Sequence, residues 1–122
     1  MYSEDDPYLP DLRDTCLRLP EASEVEAWGR PTFRAGPTRM FAVYGTHARE
    51  AASVIFKPDA ADRRGLISDT RFFVPPYFGP SGWLALDLSV APVDWTEVAE
   101  LMDASYRQVA LKRMIKALDA AQ

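Results

Sequence analysis

The chain has 122 residues and a net charge of −4, with 48% hydrophobic and 26% charged residues. This size and composition predict one soluble globular domain over residues 1–122, with residues 1–6 flexible. No apolar run approaches the roughly 18 residues that a membrane helix needs, and the N-terminus lacks the basic and apolar regions of a secretory signal. We therefore expect a cytoplasmic protein without a membrane partner.

The first predicted element is a helix that begins at Asp6-Pro7 and ends at Pro20. Its apolar face follows helical spacing through Leu9, Leu12, Cys16 and Leu19. Residues 24–28 then alternate in polarity, so this segment is either a short strand or an extended arm, and a turn follows at residues 29–31.

Five later segments have the alternation and the flanking turn residues of strands. They are Thr32–Ala35, Arg39–Tyr44, Ala51–Lys57, Arg71–Val74 and Trp83–Leu88. A short helix from Pro58 to Leu66 follows the third segment, and the acids Asp59 and Asp62 suit its first turn. The predicted fold class is α+β: an antiparallel sheet of about five strands, an N-terminal helix, a short middle helix and a C-terminal helical region.

Two apolar stripes mark the C-terminal helical region, which Asp94 is predicted to cap. The first stripe consists of Trp95, Val98, Ala99, Met102, Tyr106 and Val109. The second stripe lies roughly opposite on a straight helix and consists of Leu111, Met114, Ile115 and Leu118. Both stripes cannot face one core, so we predict a bend between Met102 and Leu111, or burial of the second stripe on another copy of the chain in a homodimer.

The predicted core draws on every part of the chain. It consists of Leu12, Cys16, Phe41, Val54, Phe56, Leu84, Leu86, Val98, Met102 and Val109. Between the fourth and fifth predicted strands, residues 71–83 combine five aromatic side chains with three prolines. Because proline prevents one regular element there, we expect a stiff loop that packs on a core or lines a pocket.

The order of short motifs resembles the MmcQ/YjbR family over about residues 9–118. The matching motifs are Leu19-Pro20, Thr32-Phe33-Arg34, Met40-Phe41-Ala42, Ile55-Phe56-Lys57-Pro58, Pro76-Tyr77-Phe78, Trp83 and Ser105-Tyr106. The resemblance implies a compact α+β domain with an antiparallel sheet, in a family whose function is poorly understood. The family fold has been likened to a double-wing arrangement and its members labelled predicted DNA-binding proteins, which is an analogy of fold.

Charge is unevenly distributed along the chain. Residues 1–29 carry −6, residues 30–71 carry +4, and residues 72–122 carry −2. The basic middle segment predicts either a patch for an anion or a phosphate backbone, or a solvated sheet face offset by the acidic N-terminus. The candidate nucleic-acid- or anion-binding residues are Arg30, Arg34, Arg39, Lys57, Arg63, Arg64 and Arg71. The candidate pocket aromatics, for which burial in the core is the alternative, are Trp28, Tyr77, Trp83 and Tyr106.

Catalytic motifs find little support. His47 is the only histidine and Cys16 the only cysteine, so we expect no metal site, no disulfide within the chain and a solvated loop around His47. Ser81 lacks the glycine register of a nucleophile elbow, and phosphate-binding and dinucleotide motifs are absent, so we expect no cofactor. Three function classes stay open: a nucleic-acid-binding module, a small anionic-ligand-binding domain, and a homo-oligomeric interaction protein. An enzyme is the least supported class.

Overall fold

A computed structural model describes residues 6–46 and 52–122 of the chain. Of the segment predicted to be flexible, residues 1–6, all but residue 6 lie outside the described residues, and so does the predicted solvated loop around His47. The elements, in chain order, are α1 (Leu9–Leu17), β1 (Ala22–Ala27), β2 (Arg30–Ala35), β3 (Arg39–Thr46), β4 (Ala52–Phe56), α2 (Ala60–Leu66), β5 (Phe72–Phe73), a 3₁₀ turn (Gly79–Ser81), β6 (Leu84–Asp87), α3 (Trp95–Val109) and α4 (Lys112–Ala121).

The strands form one antiparallel sheet in the order β1-β2-β3-β4-β6-β5. This arrangement confirms the predicted α+β class. The sheet has six strands rather than about five because residues 22–27, one of the two alternatives left open, form strand β1. Its pairing with β2 runs from Ala22 opposite Ala35 to Ala27 opposite Arg30. The hairpin turn is therefore Trp28-Gly29, one residue earlier than the predicted turn at residues 29–31.

One face of the sheet carries the main core together with helices α1, α3 and α4. Nine of the ten predicted core residues are buried there, including Leu84 and Leu86, and Val109 is partly buried against them. Side chains alternate between the two faces along each strand, and directly paired residues point to the same face. The inner face therefore carries a row of paired neighbours across four strands: Tyr44, Val54, Leu86 and Phe72. The core prediction is confirmed.

The opposite, outer face is lined by a second row of paired neighbours. It runs across the sheet as Val25, Thr32, Val43, Ile55, Ala85 and Phe73. The aromatic segment after β5 folds back over the middle of this row, where Trp83 and Phe78 pack on Val43, Ile55 and Ala85. The predicted stiff loop thus covers part of the outer face.

Acidic side chains cap two helices: Asp94 does so as predicted, whereas Asp59, predicted to lie in the first turn of a helix beginning at Pro58, is the N-cap of α2. The Asp59 carboxylate accepts a hydrogen bond from the Asp62 backbone N–H at 2.8 Å, and Asp94 caps α3 through the N–H groups of Thr96 and Glu97. The first helix begins at Leu9, two residues after the predicted first helical residue Pro7, and its N-cap is Tyr8 rather than the predicted Asp6. There the Asp6 side chain accepts from the N–H of Tyr8 in a turn before the helix.

The predicted bend in the C-terminal region is present. Helix α3 ends at Val109, and Ala110 and Leu111 are extended before α4 begins at Lys112. The change of direction lets Met114 and Leu118 enter the main core of the same chain. Leu111 remains exposed and Ile115 half-buried.

Candidate functional site

A cavity of about 670 Å³ opens on the outer face of the sheet. Its lining is mainly apolar and consists of Trp28, Arg30, Ile55, Pro75, Pro76, Tyr77 and Phe78. Ile55 is a buried residue of the outer row of the sheet, while the other lining residues come from the β1–β2 hairpin and the proline-rich segment after β5. The cavity therefore joins two segments that are about 45 residues apart in sequence.

Trp28 reaches the cavity from a two-residue hairpin turn. Trp28 and Gly29 both have positive φ, 55° and 73°, as a type I′ turn requires. The indole is 70% exposed, and its described ring contact is an edge-to-face approach to Phe78, with ring centroids 6.2 Å apart. Phe78 in turn lies 5.8 Å from buried Trp83, so the rings connect the turn to the sheet.

Tyr77 reaches the cavity from an even tighter turn. The Phe78 N–H donates to the Pro76 carbonyl at 2.8 Å, and Tyr77, between them, has φ 68°. These are the features of the γ-turn with positive φ, the rarer and more strained of the two γ-turns. The Tyr77 side chain is 95% exposed, so core packing does not account for its position.

Arg30 supplies the positive charge at the cavity and lies across Gly45 of the neighbouring strand β3. A Cβ atom at position 45 would lie 3.0 Å from Arg30 Cδ and 3.1 Å from Nε, so the absence of a side chain there leaves room for the guanidinium group. No carboxylate of residues 6–46 or 52–122 forms an ion pair with Arg30. The guanidinium group is thus available to an anion.

The remaining predicted basic residues do not gather at the cavity. Arg34 shares the outer face with Arg30, since its Nε donates to Thr32 Oγ1 at 3.2 Å. The two arginines are four positions apart, which is about 13 Å along a strand. Arg39 donates to the Val109 carbonyl at the C-terminal end of α3. Lys57 directly follows β4, and its backbone N–H donates to Ser105 Oγ.

Arg63 and Arg64 lie on α2, which faces α3 across a groove on the helical side of the sheet. Arg71 is held by two carboxylates: it binds Glu97 through two hydrogen bonds of 2.7 and 2.9 Å and Asp69 at 2.8 Å. These bonds raise the pKa of Arg71 and hold the pKa of Asp69 below its usual value. The charge of Arg71 is therefore already compensated within the chain.

The four predicted pocket aromatics divide into two groups. Trp28 and Tyr77 line the cavity, and Trp83 supports it from beneath Phe78. Tyr106 is buried in the main core, where its hydroxyl donates to the Pro20 carbonyl at 2.7 Å and its ring contacts Phe41 edge-to-face. Tyr106 thus has the core placement that the sequence left as the alternative.

Sequence reasoning did not identify Ile55, Pro75, Pro76, Phe78 or Gly45 as individual site residues. Pro75 and Phe78 belonged to the predicted stiff loop, which was a usable signal. The contribution of Gly45 depends on the register between β2 and β3, which brings it opposite Arg30, and no local sequence pattern shows that register.

Other kinds of site find no support in the described part of the chain. Residues 6–46 and 52–122 contain no group of three His, Cys, Asp or Glu side chains that could hold a metal ion. None of the helices in these ranges combines the length and apolar character needed to cross a membrane.

Together, the sheet and cavity define an α+β domain with helices on one sheet face and an aromatic cavity on the other. A family model described as YjbR matches residues 17–108, so the chain belongs to the YjbR family, as its motifs indicated. Among solved structures, the chain is similar to Deinococcus radiodurans protein DR2400, which carries a DUF419 domain. The TM-score is 0.73 and the identity 21%, covering 91% of this chain and 87% of that one. This likeness concerns the fold. No curated protein matches the chain.

Proposed function

We propose that this domain binds a small anionic ligand in the outer-face cavity, with Arg30 as the contact for the negative charge. The observation that carries the proposal is an arginine without a carboxylate partner in the described chain, placed at the wall of a mainly apolar cavity. Ligand sites commonly have this composition, with an apolar lining and few polar groups that fix orientation. The volume of about 670 Å³ lies in the usual range for such sites.

The position of Arg30 adds to this support. A guanidinium group offers several N–H donors in one plane, which suits a carboxylate or a phosphate group. Its aliphatic stem lies against the bare backbone at Gly45, so the guanidinium group is held over the sheet. None of the carboxylates in the described ranges forms an ion pair with it.

Isothermal titration calorimetry with three anionic probes tests the proposal: naphthoate, its saturated counterpart decalin carboxylate, and adenosine monophosphate. Naphthalene methanol serves as the neutral probe. We expect at least one anion to bind, and Arg30→Met to weaken it roughly tenfold to hundredfold, as a charged hydrogen bond of about 1.5–3 kcal/mol predicts. Gly45→Ala should weaken binding in the same direction, because it displaces the guanidinium group and retains its charge.

Arg64→Met is the matched control, since Arg64 is exposed on α2 away from the cavity and its loss removes the same charge. Binding that responds equally to Arg30→Met and Arg64→Met would show a general charge effect and contradict the assignment. The proposal also fails when none of the three anions binds.

A second candidate is weak, nonspecific binding of duplex DNA. One observation favours it: Arg30 and Arg34 share the outer face of β2. DNA binding has less support than the small anionic ligand, because two carboxylates compensate Arg71 and the other predicted basic residues lie on different elements. Nonspecific dissociation constants would be about 10⁻⁴–10⁻⁶ M and sensitive to salt. Titration of labelled duplex with the unaltered protein and with Arg34→Glu/Lys57→Glu tests this candidate, and no binding at low salt would exclude it.

A further inference from the structure

We infer that Trp28 and Tyr77 are the ligand-contacting rings of this cavity and that its ligand is a planar aromatic anion, either an aromatic carboxylate or the monophosphate of a planar ring. The inference rests on the proposed function and specifies its ligand class.

Both rings are held at backbone positions that disfavour them. The two central residues of a type I′ turn are usually Asn, Asp or Gly, because these tolerate positive φ. Trp28 occupies the first of these positions, next to Gly29. Tyr77 occupies the centre of a γ-turn with the same sign of φ, where a bulky side chain is strained.

The described chain offers one internal comparison. Besides Trp28 and Tyr77, one other described non-glycine residue has a positive φ: Glu21, at 56°. The Glu21 carbonyl accepts from the Gly36 N–H at 2.8 Å, and its carboxylate pairs with Arg113, so local bonds account for that conformation. Trp28 has one edge contact with Phe78, and Tyr77 is almost fully exposed. Packing therefore does not explain why these two positions carry large rings.

The two strained residues also lie at the same place. They come from separate turns and line one cavity whose remaining walls are Pro75, Pro76 and Phe78. Backbone strain of this kind concentrates at ligand-binding sites, where the surrounding structure maintains it. Exposed rings offer flat apolar faces that stack on planar groups, and Arg30 in the same cavity supplies the contact for a negative charge. A planar ring that carries an anionic group satisfies both features.

The test compares naphthoate with decalin carboxylate, which has the same ring framework without planarity, and includes adenosine monophosphate to distinguish the two sources of the anion. Dissociation constants are measured by calorimetry for the unaltered protein and for Trp28→Asn, Trp28→Phe and Tyr77→Asn. Melting temperatures are measured alongside. The matched control is Trp95→Phe, an indole of α3 outside the cavity lining.

We expect naphthoate or adenosine monophosphate to bind at least tenfold more tightly than decalin carboxylate. Trp28→Asn and Tyr77→Asn should each weaken that binding at least fivefold with the melting temperature unchanged or raised, because Asn suits positive φ. Trp28→Phe should retain most of the affinity, and Trp95→Phe should leave it unchanged.

One outcome would overturn this inference and leave the proposed function standing. In it, naphthoate and decalin carboxylate bind equally well, and their binding is lost in Arg30→Met but not in Trp28→Asn. A lowered melting temperature in Trp28→Asn with unchanged affinity would assign the indole a structural role and also overturn it. Absence of binding by all three anions would refute both.

Discussion

Ser105 and Tyr106, a family motif of the last helical region, serve the fold rather than the cavity. The fully buried Ser105 hydroxyl donates to the Phe41 carbonyl at 2.6 Å and accepts from the Lys57 N–H at 2.8 Å. It thereby joins α3 to strand β3 and to the end of β4. The Tyr106 hydroxyl joins the same helix to Pro20 after α1. Four separated motifs are thus joined by these three hydrogen bonds.

Replacement of Ser105 by alanine should cost the protein about 2–3 kcal/mol of unfolding free energy, because the buried Phe41 carbonyl and the partly buried Lys57 N–H both lose this partner. Urea denaturation measures the change. Ser81→Ala, at an exposed serine, is the control and should stay within about 0.5 kcal/mol of the unaltered protein. A Ser105→Ala variant as stable as this control would contradict the structural role of the motif.

Cys16 lies in the main core on α1, as the sequence predicted. Burial, with a smaller contribution from the charge of Glu24, raises the pKa of its thiol well above the usual value. Since the thiolate is the reactive form, we expect no reaction with a disulfide reagent in the folded protein near neutral pH. Labelling should appear across the urea unfolding transition, and rapid stoichiometric labelling without urea would refute the buried placement.

At the level of elements, an ionic cluster connects the segment before β5 to the first turn of α3. Arg71 donates to both Asp69 and Glu97. Hydrogen bonds from Arg71 are the main cause of the lowered Asp69 pKa. A carboxyl whose pKa is lower in the folded than in the unfolded chain stabilises the fold at pH values above its unfolded pKa, and this contribution disappears as the pH falls.

We therefore expect Asp69→Asn to lower stability near neutral pH, and the difference from the unaltered protein to shrink as the pH falls below about 4, the pKa of an unfolded aspartate. Urea denaturation at about pH 7 and at about pH 3 measures this change. Arg71→Met provides a second check, since the pH dependence that Asp69 contributes should largely vanish in its background. An Asp69→Asn difference that stays constant with pH would contradict the assignment.

The helices, most strands and the core residues could be predicted, because each is marked by the regular spacing of apolar residues along a short stretch of sequence. Alternation identified Leu84 and Leu86 as inward residues, and two opposed helical stripes identified the break that lies at Ala110 and Leu111. Strand β1 stayed ambiguous, because its alternation is equally compatible with an arm and pairing decides between them. The cavity was beyond local rules, since it depends on the side-chain-free Gly45 lying opposite Arg30 and on positive φ at Trp28 and Tyr77, where local preference favours other residues.

For the whole molecule, the charge asymmetry of the sequence becomes a distribution over separate surfaces. The basic middle segment supplies the outer face with Arg30 and Arg34, the end of α3 with Arg39, and the α3 N-terminal side with Arg71. Within the described residues, Arg71 of this segment is compensated by Asp69 and Glu97, whereas the N-terminal acids Glu21 and Glu24 pair with Arg113 and Arg13, which lie outside the basic segment. The net charge of +4 over residues 30–71 therefore overstates the positive charge present on any one surface.

The last helix bears on the predicted homodimer, which stays a prediction. Within the second apolar stripe, Leu118 is 6% exposed in one chain, whereas Ile115 is half-buried and Leu111, just before α4, is exposed. Leu118→Ala should cost about 2–3 kcal/mol by opening a cavity in the core, and the matched change Ile115→Ala should cost less than about 1 kcal/mol. Urea denaturation of the two variants measures both values.

Sedimentation of the same variants over a range of concentrations separates the two uses of the stripe. If α4 packs on its own chain, Leu118→Ala lowers the unfolding free energy at every concentration and leaves the mass unchanged. If the stripe instead joins two copies, Ile115→Ala and Leu111→Ala shift the mass toward the monomer, and the stability of the unaltered protein rises with its concentration. A Leu118→Ala variant that retains full stability while a dimer dissociates would overturn the assignment of Leu118 to the core of one chain.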